Sequence, residues 1–161
     1  MRLTLPRRSL SFAVGPHHTA AMFDRIKARF KKVTTPPAEF HDAELGVLTA
    51  DSDLWSGTIT RHGITIPFTV AGTQAAPDSA LLDRVRDIIG RFNEVEAVGL
   101  TFLRAEVAEV RSSRFTFNGL TFLWEDQPDL YSLEWLADGD DSCFWIVHFE
   151  ADKPKDAGFD D

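Results

Sequence analysis

Residues 137–152, ADGDDSCFWIVHFEAD, gather Asp138, Asp140 and Asp141, the only cysteine (Cys143) and His148 around an apolar run. A thiol within hydrogen-bond reach of an imidazole would make a nucleophile and its base. Aspartates spaced as at 138 and 140 open calcium loops. Neither chemistry survives the spacing. Side chains on a strand alternate faces, so Cys143 and His148, five positions apart, point opposite ways unless a bulge intervenes. The calcium reading lacks the required glycine and the distal bidentate glutamate. A buried small thiol, a hydrogen-bonded sheet imidazole and a solvated acidic turn are the expectation here.

Other chemistries find less support. No GxGxxG or P-loop precedes a helix, and HExxH, CxxC and GxSxG are absent from the chain. His17 and His18 are adjacent and cannot by themselves close a metal shell. His41 with Asp42, His62, and Glu134 with His148 could converge only through a sheet. No catalytic, cofactor or metal-ligating residue is therefore assigned.

Charge points to a different use. Residues 1–33 hold eight Arg and Lys against Asp24 alone, a balance of +7, and since the total is −8 the remaining residues carry −15. From Glu125 onward, twelve acids face only Lys153 and Lys155. Such a face repels nucleic acid and attracts a basic protein. Asp138, Asp140, Asp141, Asp152 and Asp156, with Trp135, are the candidate partner-binding residues. No apolar stretch reaches the roughly 18 residues of a membrane span, and a single cysteine allows no internal disulfide. The expected compartment is the cytosol.

The elements that must position these residues follow from periodicity. Residues 1–33 form a basic extension, of which 1–21 has no apolar period and suits a disordered segment or a start placed too early. Met22 opens MFDRIKARFKK, with Phe23, Ile26 and Phe30 at helical spacing. Thr34 to His41 is a linker broken by Pro36 and Pro37, and residues 34–161 make one domain.

Within that domain ELGVLTA is a short strand, and LWSGTITRHGITIPFTV is a hairpin. A two-residue turn at His62 and Gly63 pairs Arg61 with Ile64, Ile59 with Ile66, Gly57 with Phe68 and Trp55 with Val70. Phe68 then covers Gly57. Pro67 marks its strand as a sheet edge.

APDSALLDRVRDIIGRF is an amphipathic helix, capped by Asp78 or Ser79, with Leu81, Leu82, Val85, Ile88, Ile89 and Phe92 on one stripe. A second helix carries Val95, Val98, Phe102, Leu103, Val107 and Val110, weakened by Gly99. RFTF and LTFLW are strands about an Asn118-Gly119 turn. LYSLEWLA turns Tyr131, Leu133 and Trp135 to one face, and Cys143 to Phe149 is a central strand covered on both sides.

From Met22 onward the chain resembles small uncharacterised bacterial proteins of the domain-of-unknown-function type. The likeness rests on the basic start, Leu45-Gly46, Trp55-Ser56-Gly57, paired helices and the closing FWIVHFEADKPKDAGFDD. It implies an interaction role, immunity-like in some members, and no catalytic residues.

The combined expectation is an α+β domain with a mostly antiparallel sheet of five or six strands and two helices on one face. Its function is to bind a basic protein without catalysis. The alternative is a small-molecule-binding protein or hydrolase with a pocket between helices and sheet near Trp124, Trp135 and His148.

Overall fold

The structure, a computed structural model, describes residues 37–160 except 112 and 139, without the side chains of 140–142 and 160. The expectations placed on residues 1–33, and the side chains of Asp140 and Asp141, lie outside the described residues.

Two runs of four strands join in one sheet. The first is β1 (Glu39–Asp42), β2 (Gly46–Asp51), β3 (Leu54–Arg61) and β4 (Ile64–Ala71). The second is β5 (Phe115–Phe122), β6 (Leu130–Ala137), β7 (Asp140–Glu150) and β8 (Lys153–Asp160). The eight strands lie side by side in chain order, and every pairing is antiparallel except β4 with β5. Parallel neighbours need a crossover of a dozen or more residues. Here it consists of α1 (Ser79–Gly90), α2 (Phe92–Glu106) and a single 3-10 turn at Ala108–Val110.

The α+β class therefore stands, and the count of five or six strands is corrected to eight. Two of the missed strands are the borders. β1 falls where the prolines suggested a linker, and β8, KPKDAGFD, has almost no strand-forming residues. A neighbouring strand supplies the hydrogen bonds that neither segment's composition announces.

The β3–β4 hairpin has the expected register throughout. His62 and Gly63 take φ of 51° and 79°, as a twist-matched two-residue turn demands. The Phe68 ring lies over Gly57, where a Cβ would come within 2.5 Å of it.

β4 is not an edge, however. Phe68, Thr69 and Val70 pair with Leu120, Thr121 and Phe122 of β5. Pro67, whose nitrogen turns toward β5, sits one residue before that ladder begins, so its missing N–H limits the pairing without preventing it.

Asn118-Gly119 is likewise not a turn. β5 runs through it, and the register to β6 slips between Phe117 and Gly119, leaving Asn118 as the extra residue of a bulge.

Both helices bury one stripe against one sheet face. Asp78 caps α1, its side chain accepting from Leu81 N at 3.0 Å. Leu81, Leu82, Val85, Ile88 and Ile89 are buried beneath it. At about 1.5–3 kcal/mol per apolar side chain, that stripe outweighs the helix's intrinsic propensity. The inner stripe of α2 is Phe92, Val95, Gly99 and Leu103. Val98, expected inside, is 42% exposed, and Gly99 takes the inward place because Trp135 leaves no room for a Cβ.

Candidate functional site

The acidic segment does not converge on one patch. Trp135 is fully buried and joins Phe117 edge to face at 6.2 Å, so it belongs to the core and offers no contact surface. Its Nε1–H makes no well-formed hydrogen bond, although the Glu96 carboxyl lies near enough to feel it. Burial pushes the Glu96 carboxyl on α2 above its usual range, and the indole offsets that push only in part.

Asp152 occupies the β7–β8 turn, where Ala151 and Asp152 have φ of 46° and 66°. Alanine in that region costs about 1–2 kcal/mol. Arg84 of α1 bonds to Asp152, Arg91 donates to it at 2.6 Å, and Tyr131 Oη donates at 3.1 Å. Burial pushes the Asp152 carboxyl up, but Arg91 and Arg84 hold it below the ordinary range. Burial, with Asp152 beside it, raises the Tyr131 hydroxyl strongly. Asp152 thus ties α1 to the sheet, a fixing role in place of the free partner contact expected of it.

Asp138 is exposed in the β6–β7 hairpin, its N–H donating to Arg114 O at 3.0 Å. Asp140 begins β7 opposite Ala137. Asp156 is exposed on β8, opposite His148. Three aspartates therefore lie toward the β6–β7 end or outward on β8, and Asp152 lies at the opposite end of the sheet.

The helix-free face carries a cross-strand polar row. Ser56 and Thr69 hydroxyls meet at 3.1 Å, Thr121 donates to Glu134 at 2.9 Å, and Ser132 Oγ lies 2.7 Å from His148 Nδ1. Glu134 and His148 therefore share a face, as their parity allows. Trp135, three positions beyond Ser132, faces the other way, so Trp135 and His148 lie on opposite faces of the sheet.

Ser132 is 1% exposed. Its contact with the imidazole satisfies a buried hydroxyl. Cys143 is half-buried on β7. No three His, Cys, Asp or Glu converge on a metal position among the described residues.

The border formed by β8 and α2 differs from these sites. Phe117, Trp135, Trp145 and Phe159 lie in one cross-strand row under the helices. Burial falls along it: Trp135 is enclosed, Trp145 is half-buried, and Phe159 is 63% exposed with its ring 5.6 Å from Trp145. Toward the other end of β8, where Pro154 stands opposite Phe149, Ala97, Val98, Thr101, Phe102 and Ala105 of α2 and Pro154 line a shallow, open apolar depression. No family model matches this chain, and neither the curated proteins nor the solved structures yield a match.

Sequence reading missed Phe159 and the outer side of α2. One signal was available: Ala97, Val98, Thr101, Phe102 and Ala105 repeat at helical spacing as a second apolar stripe. No helix among the described residues is long and apolar enough to cross a membrane.

Proposed function

We propose that this chain is a non-catalytic protein-binding module, immunity-like in kind and cytosolic, whose acidic domain receives a basic protein along its β8 border. The exposed Phe159 ring, held against Trp145 on an edge strand, carries the reading. An aromatic side chain supported by a second ring is an anchor whose ordering cost is already met on folding. The balance of −15 in the chain after residue 33 supplies a long-range pull on a positively charged partner. Ser132 meets His148, but at 1% exposure it has no open approach to substrate, so this pair is not read as a catalytic dyad. The resemblance to small bacterial domains adds the immunity-like character.

The test is capture of a partner from the source cells, followed by association rates across a salt series. A basic protein whose association slows steeply with salt is expected. Phe159→Ser should weaken it by roughly tenfold or more. A partner that binds wild type and variant alike, at rates indifferent to salt, sinks the reading.

A further inference from the structure

A cleft of about 260 Å³ opens between the β3–β4 hairpin and the junction of α1 with α2. None of its lining residues belongs to β8, so it is independent of the proposed protein contact. Its floor is apolar: Ile66, Ile89 and Phe92 are buried and Ile64 is half-buried. The rim carries charge of both signs. Arg61, at the end of β3, comes from the hairpin wall, and Glu94, in the first turn of α2, from the helix wall. The Arg61 guanidinium reaches toward the helix junction, where its Nη1 lies 3.8 Å from the position a Cβ on Gly90 would take. His62 and Asn93 add hydrogen-bonding groups at the rim.

Both rim charges are uncommitted. Arg84 and Arg86 of α1 each bind two or more carboxylates, and Arg91, which also lines the cleft, is held by Asp87 and Asp152. Neither Arg61 nor Glu94 enters an ion pair or a side-chain hydrogen bond among the described residues. A ligand that uses the whole cleft must therefore match one cation, one anion and an apolar floor. A simple anion would meet Glu94 in a chain of net charge −8, and a simple cation would meet Arg61. The volume lies just under the roughly 300–1,000 Å³ of sites for drug-sized ligands, which selects a small molecule. We infer that this cleft binds a free amino acid with an apolar side chain. Its carboxylate meets Arg61, its ammonium meets Glu94, and its side chain rests on Ile64 and Phe92.

The test is a chemical-shift titration of the full chain with L-leucine and with compounds that each lack one of its parts. N-acetyl-leucine lacks the ammonium, leucinamide lacks the carboxylate, and glycine lacks the side chain. Leucine should bind with the lowest Kd, and each of the others roughly tenfold more weakly or worse. Arg61→Gln should leave leucine and leucinamide binding alike, and Glu94→Gln should do the same for leucine and N-acetyl-leucine. Both residues are exposed, so both variants should keep the wild-type melting temperature.

No binding of leucine up to about 10 mM overturns the inference. So does a preference for leucine that both folded variants retain in full, since the charges would then play no part. N-acetyl-leucine binding more tightly than leucine would make the cleft an anion site and overturn it as well.

Discussion

The two helices of the crossover lie on the same sheet face, yet their outer sides follow opposite rules. α1 turns charge outward and uses it. Arg84 pairs with Asp87 and Asp152, Arg86 with Asp83 and Asp42, and Arg91 with Asp87 and Asp152. Arg84 and the capping Arg91 thereby reach the β7–β8 turn, and Arg86 reaches the end of β1. The Asp42 carboxyl is pushed up by burial yet held low by N–H groups of Leu45 and Glu44 and by Arg86. α2 has no such ties along its outer stripe and presents methyl groups. A helix fastened on both sides is finished within its own chain. A helix fastened only underneath has a surface left for something else.

Glycine substitutions probe the contrast most strongly. At Gly99 a Cβ would stand 2.7 Å from Trp135 Cη2. Gly99→Ala should cost about 1–3 kcal/mol through overpacking, outweighing alanine's helix preference. At Gly90 the nearest atom is Arg61 Nη1 at 3.8 Å, an ordinary contact. Gly90→Ala should therefore stabilise, by about 0.5–1 kcal/mol. Urea midpoints that move the same way for both would erase the distinction drawn between the helices.

The ion-pair side of the comparison is broken next. Asp152→Asn should cost about 1–2 kcal/mol, discounted because the side chain is one-third exposed. The sign with pH is definite. The folded Asp152 pKa is depressed, so its contribution is present above the unfolded value of about 3.9 and is lost as pH falls through the folded one. Melting curves taken from about pH 6 down to about pH 2 should show wild type and variant converging at the acid end. A constant gap would mean that shape, and not charge, holds the turn.

Glu96 runs the other way. Its folded pKa is raised by burial, so ionisation at neutral pH costs stability. Glu96→Gln should raise the melting temperature at neutral pH, and the gain should vanish as pH falls below about 4.3. An equal gain at both pH values would assign the effect to packing. The smallest expected effect is that of Ala97→Gln with Ala105→Gln on stability, within about 0.5 kcal/mol. A larger loss in the isolated protein would show that the stripe is already covered.

How much of this was legible depends on how local the deciding interactions are. The β3–β4 hairpin was readable to the residue because a two-residue turn sets its own register and the alternation of Trp55, Ile59, Ile66, Phe68 and Val70 admits one pairing. The inner stripe of α1 was readable for the same reason, and its cap was narrowed to Asp78 or Ser79, of which the structure uses Asp78. Asn118-Gly119 was misread because a turn and a bulge share their local chemistry, and only β6, laid alongside, distinguishes them. Trp135 and Asp152 were grouped with the surface acids by sequence proximity. Parity already placed Trp135 with Tyr131 and Leu133, but the arginines that claim Asp152 come from a helix far earlier in the chain.

Class, hairpin register, the inner stripe of α1 and the sign of the field were thus determined by the sequence alone, since each rests on periodicity, turn chemistry or a sum of charges. The sheet's borders, the parallel junction of β4 with β5, the scattering of the aspartates and the uncovered side of α2 were decided by tertiary structure. Each depends on which distant element lies adjacent, and a period along the chain records which residues are apolar without recording what covers them.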